Sequence, residues 1–119
     1  MTQIHELTAI ELAAAIRAGD LSPVAVTDHY LRRTDELNEQ VGAFYTVTAE
    51  LAAEQALAAE KAVTRAADPA ELPPLTGVPI PVKDLNMVAD VRRVIGTNGL
   101  LESGGSGHNR GSTVLCAES

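Results

Sequence analysis

The chain of 119 residues carries a net charge of −7, and its side chains are 45% hydrophobic but only 3% aromatic. That acidic balance argues against nucleic-acid binding, which needs clustered Lys and Arg. The single cysteine, Cys116, excludes an intrachain disulfide and suits a reducing cytoplasm. No apolar run approaches the roughly 20 residues that span a bilayer, and residues 1–6 lack the basic and apolar regions of a signal peptide, so a soluble cytoplasmic protein is expected.

One domain of ordinary size is the starting expectation. Ala supplies much of the hydrophobic fraction, so the core should be built of small side chains and stability should be modest. Residues 1–67 read as helical. Thr8 and Glu11 fit a capping box, Leu7 and Leu12 take the two staple positions, and Gly19 stands as a stop, which predicts a helix over residues 8–18. Leu12, Ala15 and Ile16 continue its apolar stripe. A second start follows at Ser22-Pro23, with Val26, Tyr30, Leu37 and Val41 recurring at helical spacing and acidic and basic residues covering much of the remainder. Gly42 ends that pattern, and residues 43–47, short, aromatic and β-branched, suggest a brief strand. A third helix, rich in Ala, Glu and Leu, is predicted over residues 49–67. Residues 68–74, with three prolines, form a linker.

Residues 75–84 hold the clearest strand pattern. Alternation puts Val78, Ile80 and Val82 on one face and Pro79, Pro81 and Lys83 on the other. Both prolines remove amide donors from the same lateral edge, which predicts an edge strand or an irregular extended segment. Such a strand delivers Lys83, one of two lysines in the chain, to the point where regular structure ends. A lysine serves as a general base only when burial or a nearby cation lowers its pKa toward neutrality. Asp84 would oppose that shift if it shared a face with Lys83, but adjacent strand residues face opposite ways.

Beyond the strand, Val88, Val91, Val94 and Ile95 are interleaved with charges. Six glycines then fall within the 16 residues from Gly96 to Gly111, a loop composition. Residues 96–119 read as a Gly/Ser-rich loop and a truncated tail. The segment Gly105 to Ser112 is a poor phosphate loop, since it lacks the lysine that motif needs. His5, His29 and His108 are far apart in sequence and show no metal-ligand spacing, so neither metal nor cofactor is expected. Cys116 has no evident base beside it.

The order of Leu7-Thr8-Ala9-Ile10-Glu11-Leu12, Gly19-Asp20-Leu21-Ser22-Pro23-Val24, Asn38 to Phe44 and Leu75 to Asp84 resembles the N-terminal part of the amidase signature family. The Gly-Val-Pro-Ile-Pro-Val-Lys-Asp run, Gly77 to Asp84, is the most specific piece. The resemblance covers nearly all of the chain to about Gly99. It implies an α/β architecture: the N-terminal helices and first strand of a mixed-sheet α/β/α fold, truncated. It also implies a Ser-cisSer-Lys triad in which Lys83 is the base, a bridging serine relays the proton and a second serine attacks the amide carbonyl. Both serines lie in a later segment of that family. Ser103-Gly104-Gly105-Ser106-Gly107 is a weak substitute, Asp90 stands where the family usually has glycine, and Arg110 to Leu115 resembles the start of the family's next helix. The expectation is a fragment of a carbon–nitrogen hydrolase, inactive alone, with a small-molecule amide as substrate once a complementing segment is supplied. The alternatives are a piece of the glutamyl-tRNA amidotransferase subunit that shares this fold or a non-catalytic remnant that docks on another chain or self-associates.

Overall fold

The computed structural model describes residues 2–44, 46–82 and 113–116. A 3-10 turn (Ile4–Glu6) precedes α1 (Ala9–Ala18), α2 (Pro23–Val41) and α3 (Ala49–Arg65), and a second 3-10 turn (Pro69–Glu71) leads to β1 (Pro79–Val82). β1 pairs antiparallel with β2 (Thr113–Cys116). The described chain is thus mostly helical, with one two-stranded sheet. No helix among the described residues is long and apolar enough to cross a membrane.

The helix ends follow the local chemistry. Thr8 N–H and Oγ1 both donate to the Glu11 carboxylate at 2.7 and 2.8 Å, while Glu11 N–H donates to Thr8 Oγ1 at 3.3 Å. These bonds from the Thr8 backbone and hydroxyl hold the Glu11 carboxyl below its ordinary pKa. A carboxyl lowered in the folded state stabilises above its unfolded value and loses that contribution as pH falls through the lowered one, so acid loosens this cap. Ser22 Oγ accepts from the amides of Val24 and Ala25 and donates to Glu60 Oε1, tying the start of α2 to α3. Gly19 and Gly42 close α1 and α2.

The third helix packs through small residues. Ala52, Ala56 and Ala59 form the buried stripe of α3, and α3 lies along α2. The central core is Leu12, Ala13 and Ile16 of α1, Val26 of α2 and Val78, with Ile4, Leu7, Leu21, Tyr30 and Val63 packed around it. On α1 it is Ala13, rather than the expected Ala15, that is buried with Leu12 and Ile16.

Four expectations need correction. Ala43, Phe44, Thr46 and Val47 belong to no strand. Instead the Asn38 side-chain amide takes the backbone of Phe44, donating to its carbonyl and accepting from its N–H, both at 2.8 Å, so these groups cannot join a ladder. The strand also starts later than residue 75. Val78 N–H donates to the Leu75 carbonyl at 3.0 Å across Thr76 and Gly77, a tight turn with Gly77 at φ +82°. Finally, Thr113–Cys116 is a strand, not the start of a helix, as its β-branched and apolar sequence allows. The third helix ends at Arg65, two residues before the expected boundary, and Asp68 caps the 3-10 turn that follows by accepting from Ala70 N–H.

The Gly77 turn sits against the helices. A Cβ there would lie 2.9 Å from Pro23 Cγ and 3.4 Å from Ile16 Cδ1, whereas Gly19, at nearly the same φ of +80°, has open space around it. Gly19→Ala should therefore cost about 1 kcal/mol from backbone strain alone, and Gly77→Ala about 2–4 kcal/mol, because overpacking adds to the strain. Urea denaturation of the two variants measures the difference. Equal losses would show that the turn does not bear on Pro23.

Candidate functional site

The N-terminal half of the α2 stripe is covered and the C-terminal half is not. Val26 is fully buried and Tyr30 is half-buried, but Leu37 is 39% and Val41 68% exposed. A stripe with that spacing is built to be covered along its length. Here its open end forms one wall of a groove of about 440 Å³. Leu7, Ala9 and Leu12, Ala43 and Phe44, and Val78 through Pro81 also line it. Tyr30, Arg33, Thr34 and Asn38 bring the polar atoms. The volume falls in the range of small-ligand clefts.

Local chemistry explains each wall. Leu7 is held where the N-terminal turn meets α1, just before the Thr8 cap. Phe44 is placed by Asn38, one turn before the end of α2. The extended strand is set down by the Gly77 turn, whose neighbours Thr76 and Val78 are each 2% exposed. Thr76 N–H and Oγ1 donate to the Pro73 carbonyl at 3.1 and 2.9 Å, and Arg17 Nη2 donates to the same oxygen at 3.1 Å, so three donors anchor the approach to β1.

Among the described residues β1 pairs on one side only. Proline has no N–H to give to β2, so with Ile80 opposite Leu115 and Val82 opposite Thr113, those are the pairs that exchange bonds. Pro79 and Pro81 face the other lateral edge, which is bare of donors. The face predicted to be apolar is only partly covered: Val78 is buried, Ile80 is 41% exposed and Val82 is half-buried.

Lys83 follows Val82 in sequence and lies outside the described residues, as do Asp84, Asp90, Ser103, Ser106 and His108. What the described residues provide is therefore the strand leading to Lys83 and the apolar groove beside it. Among the described residues no three His, Cys, Asp or Glu side chains gather as metal ligands.

Two constellations have no counterpart in the sequence reading. Asn38 and Phe44 belong to a recognisable motif, but nothing in it announces a clamp. His5 and His29, 24 residues apart, meet at 3.1 Å between Nδ1 and Nε2. No local spacing signals such a pair, since it is created by the N-terminal turn folding back on α2.

Comparison with known proteins adds a second kind of observation. The family model described as Amidase matches residues 25–105. The chain is 42% identical over 94 residues, 79% of its length, to the A subunit of a glutamyl-tRNA(Gln) amidotransferase from Thioalkalivibrio sulfidiphilus. It is 42% identical over 91 residues, 76% of its length, to the protein of the same name from Thermobifida fusca. A Synechocystis protein bearing a provisional amidase name is 38% identical over 103 residues, 87% of this chain. The matched segments are 19%, 18% and 20% of those three proteins, so the chain spans about a fifth of the length of the curated relatives it matches.

The Asn38 clamp is open to a direct check. Asn38→Ala removes both bonds to Phe44 and should lower stability by about 1–2 kcal/mol. The Phe44 amide should lose its protection from hydrogen exchange while the amides of α1 keep theirs. Unchanged protection at Phe44 would mean that something other than Asn38 holds this end of the groove.

Proposed function

We propose a function from one premise: the chain belongs to the amidase family. In this reading its 119 residues are the N-terminal segment of an amidase-signature domain, contributing helices, the first strand of the mixed-sheet α/β/α fold and the catalytic base. The reaction is hydrolysis of a carboxylic amide without metal or cofactor, in a cytoplasmic setting. Lys83, neutral, accepts a proton from a bridging serine as that serine takes one from the nucleophilic serine. The nucleophile adds to the amide carbonyl, the amine leaves with the returned proton, and water then hydrolyses the acyl-enzyme. The two serines belong to the later segment of the family, outside these 119 residues.

The observation that carries this reading is the family match over residues 25–105, which includes the strand and Lys83. The open half of the α2 stripe supports it physically. Relatives about five times as long have a large body of chain beyond the matched segment, and the exposed Leu37, Val41 and Ile80 form an apolar surface for such a body to cover. A second reading, a segment of an amidotransferase acting on a charged tRNA, is favoured by the names of the relatives at 42% identity. Both readings give Lys83 the same task and differ in where the released ammonia goes, into water in one and to the charged tRNA in the other.

The purified chain alone should not turn over benzamide. Mixed with the serine-bearing remainder of an amidase relative, it should restore hydrolysis, which Lys83→Ala abolishes and Val41→Glu weakens by impairing assembly. Turnover by the chain alone, lost in Lys83→Ala, would overturn the complementation reading. Restored hydrolysis that survives Lys83→Ala would overturn the role of the lysine.

A further inference from the structure

His5 and His29 make an unusual contact. Their ring planes are within 6° of parallel and the ring centroids are 5.3 Å apart, with Nδ1 of His5 3.1 Å from Nε2 of His29. That centroid separation is the N···N distance plus the two ring radii. The rings therefore meet edge to edge in a common plane, not face to face. The facing nitrogens share a single hydrogen in an N–H···N bond, and the bond is the same whichever ring supplies it.

The position of this bond gives it a consequence. His5 is the middle residue of the turn Ile4–Glu6, and His29 is on α2. The turn's own bonds are short-range: Gln3 N–H to the Glu6 carboxylate, Glu6 N–H to the Gln3 carbonyl and Leu7 N–H to the Ile4 carbonyl. None of those three reaches α2. The hold on α2 combines the histidine bond with the partial burial of Ile4 and Leu7 against the core, and Leu7 is also a wall of the groove.

We infer that the His5–His29 bond is a proton-operated latch that keeps the N-terminal turn, and with it the Leu7 wall of the groove, seated on α2 until both rings are protonated. The first proton enters on an outer nitrogen and leaves an imidazolium donating to an imidazole, a stronger, charge-assisted bond. The second must enter on the remaining inner nitrogen. Two N–H groups and two positive charges then face each other, and the bond is gone. Only an N–H on both facing nitrogens removes the bond.

The surroundings set the direction. From the turn, His5 faces His29; from α2, Tyr30 meets the His29 ring edge-on, Arg32 and Arg33 repel a charge there and Glu36 attracts one. Arg32 is partly neutralised by Asp28 at 2.8 Å. Desolvation first, then the His5 and arginine charges, outweigh Glu36 and hold the His29 pKa below its ordinary value. A histidine lowered in the folded state is stabilising when neutral, and that contribution is lost as pH falls through its unfolded value and then its folded one. Opening therefore belongs to acid conditions below the ordinary histidine value of about 6.5. The latch stands on the geometry of this chain and does not depend on the amidase reading.

Amide hydrogen exchange of the full chain across pH tests it. At neutral pH the Glu6 and Leu7 amides should be protected, and acidification through the histidine range should lower their protection by about tenfold or more. In His29→Gln, which cannot titrate, that loss should vanish. The same profile in His29→Gln, or no protection at neutral pH, would overturn the latch. In the unsubstituted chain, proton NMR of the His29 ring should change over the same acid range in which the Glu6 and Leu7 amides lose protection. Amide protection lost while the His29 ring is unchanged would overturn the latch without recourse to a variant.

Discussion

The close approach of Gly77 to Pro23 and Ile16 fixes where the strand leaves the helical layer. A residue with a Cβ could not stand there without moving a proline ring at the start of α2 and a core isoleucine of α1. Because Gly77 has none, Val78 reaches the core and the next four residues emerge as β1 along the groove. The chain on either side is then determined. Upstream, Pro73 collects donors from Thr76 and Arg17; downstream, the strand runs toward Lys83. One missing methyl group joins the helical part of the fold to its candidate chemistry.

What the sequence made legible was local. Thr8, Glu11, Ser22, Pro23, Gly19 and Gly42 mark helix ends through bonds that span at most four residues, and the structure places those ends where the residues say. The third helix was legible from its Ala, Glu and Leu content, whereas which of its alanines are buried, Ala52, Ala56 and Ala59, is decided by the packing. Residues 43–47 misled because strand propensity describes side chains, whereas the deciding event was a side-chain amide six residues upstream capturing the backbone of Phe44. The His5–His29 bond and the Arg17–Pro73 bond, 56 residues apart, depend on how elements pack and have no local signal. For the candidate site, the strand and its edge character were legible, and the groove beside it was not.

The α2 stripe shows how a correct local reading can point beyond itself. Val26, Tyr30, Leu37 and Val41 were expected to share one buried side, and only the first two are covered to any depth. The helix continues past its last buried residue, Thr34, and ends where the Gly42 N–H donates to the Asn38 carbonyl at 2.7 Å. Burying an exposed Leu or Val side chain is worth about 1–3 kcal/mol. A pattern that specifies such burial without meeting it leaves an apolar surface open at the end of α2.

The chemistry of β1 restricts how that surface can be met. Its outer edge presents the carbonyls of Pro79 and Pro81 and no amide hydrogens, so an incoming strand would find acceptors without donors and could not form a reciprocal ladder. Backbone addition at this edge is therefore disfavoured, and with it indiscriminate pairing with other chains. Whatever fills the groove must bind through side chains that fit Leu7, Leu37, Val41 and Phe44. The same prolines that mark the strand in the sequence thus decide its mode of recognition: shape and apolar contact in the groove, with the sheet edge closed.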